Sequence, residues 1–113
     1  AYLVIEQTEA MYVIDVNSGK NNASKSNAEY IFNINKEAAH EIIRQISLRN
    51  LSGIIMVDFI NMEDPDKNEQ LLNELRKLAK QDRILTTIVD MTPLGLIEIT
   101  RKKTKKALKE QIN

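Results

Sequence analysis

Two short apolar runs in this chain each carry an acid at or near their end. Val13-Ile14-Asp15-Val16-Asn17 places Asp15 late in one run, with Asn17 two positions on, and Ile54-Ile55-Met56-Val57 stops at Asp58. A side-chain period of two puts Asp15 and Asn17 on one face of a strand. If the two runs are neighbouring parallel strands, both acids sit near carboxyl ends, where open parallel sheets gather their ligands. Two carboxylates with a carboxamide beside them form an all-oxygen donor set, which suits a hard cation such as magnesium. Without a cation the two acids repel each other; a divalent ion between them removes that penalty. Magnesium there would polarise a phosphoryl oxygen and ease the ionisation of water, which is the chemistry of phosphodiester cleavage. Asn17 could orient the water or the phosphate, but an amide takes up no proton near neutral pH and is a poor general base. The plainer alternative is that Asp15 and Asp58 only cap strand ends or loops.

Other chemistries fall away by composition. The chain has no cysteine, which removes thiolate zinc sites, cysteine nucleophiles and disulfides. A single histidine, His40, rules out a multi-histidine metal site and disfavours a serine triad. A phosphoacceptor receiver domain also ends an apolar strand on aspartate, but it needs an acidic pair after its first strand and a lysine after its last. Neither is placed here. His40 reads as a solvated residue on a helix flank, Met56, Met62 and Met91 as core filling, and Phe32 and Phe59 as core. The few aromatics form no basic-aromatic platform for stacking bases.

The elements that must position the acids follow from pattern. Tyr2 to Thr8 and Met11 to Asn17 are rich in valine, isoleucine and tyrosine, and only Glu9-Ala10 separates them, which predicts a hairpin. Ser18 to Asn33 is polar and reads as a long loop. A helix fits 36–50, with Asn35 as its N-cap and Ala39, Ile42, Ile43 and Ile46 on one face. Ile54 to Ile60 suits a strand covered on both faces. Asp64-Pro65 opens a second helix, about 65–81, whose stripe is Leu71, Leu72, Leu75, Leu78 and Ala79. Ile84 to Val89 is a further strand. Thr92-Pro93 then reads as the start of a closing helix over 93–112, with a strand at Leu96 to Thr100 as the other reading. The order β-β-α-β-α-β-α makes an α/β layered domain with a mixed sheet, an N-terminal hairpin followed by βαβ-type units. Its helical crossover sets the Asp15 and Asp58 strands parallel.

At 113 residues the chain is one domain by size, 1–113, large enough to bury a core without a staple. Hydrophobic residues make up 42% and charged residues 28%, and the longest apolar run falls far below the ~18 residues of a membrane span. With no secretory signal at the start, cytoplasm is the expected location. The formal net charge is zero, yet it is unevenly spread. Over residues 99–113, Arg101, Lys102, Lys103, Lys105, Lys106 and Lys109 are set against Glu110 alone, so the remaining body is acidic. That split reads either as a strip for a polyanion beside a cation pocket or as a solvated helix end.

Ala1-Tyr2-Leu3-Val4-Ile5-Glu6-Gln7-Thr8-Glu9-Ala10, followed by Ile14-Asp15-Val16-Asn17, resembles the ribonuclease E/G family. The resemblance continues through Asn35, Glu37-Ala38-Ala39, Glu41-Ile42, Arg44-Gln45, Leu48-Arg49-Asn50-Leu51, Gly53-Ile54-Ile55, Asp58-Phe59-Ile60 and Met62. Gln81-Asp82-Arg83, Gly95-Leu96-Ile97-Glu98 and Thr100-Arg101-Lys102 complete it, so nearly the whole chain is covered. The resemblance implies a DNase I-like catalytic subdomain, of the broad ribonuclease H-like kind, from a magnesium-dependent bacterial endoribonuclease; manganese is an acceptable substitute. It implies hydrolysis of single-stranded, often A/U-rich RNA in RNA turnover and ribosomal RNA processing, leaving a 5′-phosphate. On that footing Asp15 and Asp58 fall on the family's metal-binding aspartates, and Asn17 on the asparagine that assists them.

Lys20, Lys25, Arg101, Lys102 and Lys103 are the expected contacts to the RNA backbone, from charge and position. Asn61 stands where the family commonly has aspartate, Ser52 replaces a usual glycine and Ser47 a usual arginine, and the loop after Gly19-Lys20 lacks a further glycine. The metal pair survives all of these departures. The RNA-binding module, the 5′-end sensor and the cysteine zinc link of the family have no counterpart, which reads as an excised domain of weak activity alone. Its expected partners are single-stranded RNA, the remaining domains of a parent enzyme, and further copies of itself in the full-length protein. The competing reading is a non-catalytic RNA-binding or assembly module with structural acids.

Overall fold

Alternating valine, isoleucine and tyrosine build the first hairpin, β1 (Tyr2–Gln7) and β2 (Tyr12–Asn17). Thr8 closes it: its N–H donates to the Met11 carbonyl at 2.8 Å, and its hydroxyl accepts from the Met11 N–H at 3.0 Å. The structure, a computed structural model, describes residues 2–17 and 28–103. Among these the remaining elements are α1 (Ala28–Arg49), β3 (Gly53–Asp58), α2 (Pro65–Ala79), β4 (Thr86–Met91) and β5 (Ile97–Arg101). They form a mixed five-stranded sheet in the order β1-β2-β3-β5-β4, with β2 and β3 parallel and the other pairs antiparallel.

Both helices lie over one face of that sheet. Ile14, Ile55, Val57, Ile97 and Ile99 from the strands and Ala39, Ile42, Ile46, Leu71 and Leu75 from the helices are fully buried between the layers. Each large aliphatic side chain so buried contributes roughly 1.5–3 kcal/mol. Among the described residues, no helix covers the opposite sheet face, and Tyr2, Val4, Ile54 and Val89 on it are exposed. Met56, expected in the core, is half-buried on that face, because it lies one residue out of phase with Ile55 and Val57.

Several boundaries differ from the sequence expectation. α1 begins at Ala28 rather than 36, since Phe32 and Asn35 continue the buried stripe of Ala38, Ala39 and Ile42. Asn35 is therefore an interior residue and not an N-cap. It also shortens the expected loop, whose residues 18–27 lie outside the described residues. α1 ends in a left-handed Asn50 (φ 54°), with Leu51 N–H bonded to the Ile46 carbonyl and Asn50 N–H to that of Ser47. β3 stops at Asp58, short of Ile60, and β4 runs two residues later than expected. The α2 start is as expected: Asp64 caps it, accepting from the Asp66 N–H at 2.9 Å, with Pro65 in the first turn.

The closing helix is a correction. Residues 97–101 form β5 instead, and 104–113 lie outside the described residues. Thr92-Pro93 suits a helix start and a β-turn equally well, since proline's fixed φ serves both. Here the Gly95 N–H bonds to the Thr92 carbonyl at 2.9 Å, Gly95 takes φ +88°, and Thr92 N–H reaches the Leu96 carbonyl. The glycine thus turns the chain back into β5 as a hairpin strand.

Candidate metal centre on the open sheet face

Asp15 and Asp58 are direct register partners, the last pair of the β2–β3 ladder. Neighbouring strands run about 4.8 Å apart. Register partners project to the same face, and the preceding pair, Ile14 and Val57, is wholly buried under the helices. Asp15 and Asp58 are accordingly both exposed on the open face. Asn17 lies two residues beyond Asp15 on that face, half-buried, and is paired in register with Tyr2. The three residues singled out from sequence are therefore brought together at the carboxyl ends of the two parallel strands.

The donor chemistry fits a hard cation, since every candidate donor is an oxygen. Among the described residues, no group of three or more His, Cys, Asp or Glu comes together. Two protein carboxylates with several waters is the arrangement magnesium favours. A groove of about 590 Å³ between β1 and α1 and another of about 450 Å³ between the two helix starts touch neither acid. Among the described residues, the candidate donors lie on the sheet surface, outside both grooves.

Asp58 is followed at once by a pinned loop. Phe59 and Met62 are buried in the core, while Asn61 between them is exposed. From α1, the fully buried Asn35 donates through Nδ2 to the Ile60 carbonyl at 2.9 Å and accepts from the Ile60 N–H at 3.1 Å. From α2, Asn68 donates to the Met62 carbonyl at 3.3 Å. Sequence reasoning took Asn35 for a helix cap and missed this contact. Its place among apolar residues at helical spacing was the available signal. Glu98, half-buried, joins the open face by register opposite Met56, a position hidden while its segment was read as helix.

The expected RNA contacts divide. Lys20 and Lys25 lie outside the described residues. Arg101 is 3% exposed and is engaged in the fold. Its Nε and Nη2 donate to the two Asp82 carboxylate oxygens at 2.8 and 3.1 Å, and its Nη1 donates to Asn50 Oδ1 and the Leu51 carbonyl. Burial alone would push the Asp82 carboxyl up. The hydrogen bonds from Arg101, the Ile84 N–H and the Thr86 hydroxyl, with the Arg101 charge, hold it down at about 2 instead of 3.8. Lys102 and Lys103 are exposed just past β5. Arg101 pairs with Gly53, at the start of β3, so these lysines are at the far end of the sheet. Five strand steps separate Gly53 from Asp58, about 17 Å. His40 is exposed and contacts Glu74 at 2.9 Å, away from the site.

No helix among the described residues is long and apolar enough to cross a membrane. The profile of the Ribonuclease E/G family matches residues 1–104. Ribonuclease G of Salmonella typhimurium (strain SL1344) is 44% identical over 107 residues, covering 95% of this chain and 22% of its own length. Ribonuclease G of Escherichia coli (strain K12) is 42% identical over the same share of each. Ribonuclease E of Nostoc sp. (strain PCC 7120 / SAG 25.82 / UTEX 2576) is 46% identical over 102 residues, 90% of this chain and 15% of its own. The chain thus spans about a fifth of the Ribonuclease G relatives and less of the Ribonuclease E relative.

Proposed function

This chain belongs to the ribonuclease E/G family, and on that premise we propose that it is the DNase I-like catalytic part of a magnesium-dependent endoribonuclease acting on single-stranded RNA. The observation that supports this most is the register pairing of Asp15 with Asp58 at the ends of parallel strands, on the uncovered face. Asp15 and Asp58 would hold one magnesium ion between them, or manganese in its place. When bound, the ion supplies positive charge that polarises a phosphoryl oxygen and eases the ionisation of water. Asn17 orients: its amide N–H donates to a phosphate oxygen, and its carbonyl accepts from the attacking water. Lys102 and Lys103 attract the RNA backbone a few nucleotides away from the scissile bond, while Arg101 holds the fold.

Magnesium binding tests the core of this reading. Wild-type chain should bind magnesium, and Asp15→Asn and Asp58→Asn should each weaken that binding by at least about tenfold, the loss of one of two charged ligands. Equal affinity in all three would leave the alternative, a non-catalytic RNA-binding or assembly module with structural acids. Cleavage should be measured in the full-length protein, because the remaining parts of relatives outweigh this segment in length.

A further inference from the structure

Asp58 is the last residue of β3 with a partner in the β2–β3 ladder. Beyond it the chain leaves the sheet, and the next backbone groups need partners elsewhere. Ile60 finds both of its partners in one side chain, as the Asn35 amide accepts from its N–H and donates to its carbonyl. A carboxamide carries the same kinds of donor and acceptor as a peptide, so this pair of hydrogen bonds imitates one rung of an antiparallel ladder. We infer that Asn35 is a positioning residue for the metal centre, setting through Ile60 the direction in which Asp58 leaves its strand. The inference rests on the reading of Asp15 and Asp58 as the metal pair.

Only Phe59 lies between Asp58 and the clamped residue, and Phe59 is itself buried at 7% exposure. Planar peptides transmit a shift at Ile60 to Asp58 with little loss, because few soft dihedrals intervene. One magnesium ion requires oxygen contacts near ~2.1 Å, so small movements of one carboxylate relative to the other matter. Asn35 sits on the helix layer, behind the sheet, and touches neither acid. Its effect is on geometry alone, from the face opposite the ligand.

The clamp gives the position a requirement that burial does not. Leucine at 35 would fill the space but leave the Ile60 N–H and carbonyl without partners, forcing the loop to shift toward water. Alanine would leave room for water to bridge those groups, though without holding them at fixed distance.

The test is Mn²⁺ binding to the 113-residue chain, by calorimetry and by the electron paramagnetic resonance signal of free ion. Wild type, Asn35→Leu, Asn35→Ala, Asp58→Asn and the core control Ile46→Ala are compared at a temperature where each is folded. The expected result is a loss of Mn²⁺ affinity of about tenfold or more in Asn35→Leu or Asn35→Ala, as for residues that orient ligands from behind. Ile46→Ala, although destabilised, should stay within about twofold of wild type. If Asn35→Leu does not fold, Asn35→Ala carries the comparison. Wild-type affinity in the folded Asn35 variants, with Asp58→Asn impaired, overturns the positioning role and leaves the metal centre standing. No Mn²⁺ binding by wild type overturns the metal centre itself, and the inference with it.

Discussion

Replacing Asp82 by asparagine isolates the charge of a shielded ion pair while nearly keeping its shape. The Asp82 and Arg101 side chains are 1% and 2% exposed, so solvent screens their attraction very little. The folded carboxyl sits at about 2 against an ordinary 3.8. At about 1.4 kcal/mol for each pH unit, that difference is worth roughly 2 kcal/mol to the folded state. The sign follows from the depressed value. The stabilisation is fully present above the unfolded pKa near 3.8, fades as pH falls, and is gone once pH passes below about 2. Asp82→Asn should therefore cost about 2 kcal/mol at neutral pH, rising toward about 4 because Arg101 is left buried without its counter-charge. For a domain of this size that is a fall in Tm of roughly 10 °C or more. There is no tryptophan, so urea unfolding is best followed by the helical circular dichroism of α1 and α2. Other acids destabilise both proteins alike on acidification, so the informative quantity is the difference between them. It should shrink markedly from about pH 7 to about pH 2.5. A difference that is the same at both pH values would refute the assignment of this stabilisation to the Asp82 carboxylate.

Further outcomes follow from the same structure. Gly95→Ala should cost about 1–2 kcal/mol in thermal unfolding, because φ +88° disfavours a side chain even though nothing lies within 4 Å of the new Cβ. Asp64→Ala should remove about 1 kcal/mol by stripping the α2 cap, measured by urea unfolding. Ile55→Ala, at a wholly buried position in the central strand, should cost about 2–5 kcal/mol in the same assay. Lys102→Glu with Lys103→Glu should lower affinity for single-stranded RNA and flatten its salt dependence by about 1–2 in log–log slope, read from binding isotherms at several salt concentrations.

The meeting of Asp15 and Asp58 at the ends of parallel strands was readable because two independent regularities set it. Strand periodicity placed Asp15 out of phase with Ile14 and Val16, and the helical crossover made the Asp58 strand parallel. Neither depends on distant contacts. Asn35 and Arg101 were misread for the opposite reason: their roles are set by partners far along the chain. Asparagine favours helix starts locally, but two bonds to Ile60 outweigh that preference and draw it into the interior of α1. Arg101 belongs to a run of cations and looked like surface, yet strand alternation with Ile97 and Ile99 turns it inward to Asp82 and Asn50. The closing strand itself was lost to Thr92-Pro93, whose local geometry serves two outcomes. Only pairing with β3 and β4 decides between them.

Among the described residues, no helix walls in the sheet face that carries Asp15 and Asp58, and both acids are exposed. Bulk water reaches both acids, so the effective dielectric there is high and any attraction for a cation is correspondingly diluted. If the proposed ion binds there, such a seat would exchange it readily with solvent, and its filling would follow the surrounding magnesium concentration. Under that proposal, a phosphate arriving there would add negative charge and drive water off, which would raise the ion's residence at the moment of contact. Cation and nucleic acid would then recruit each other, and each should bind more tightly in the presence of the other.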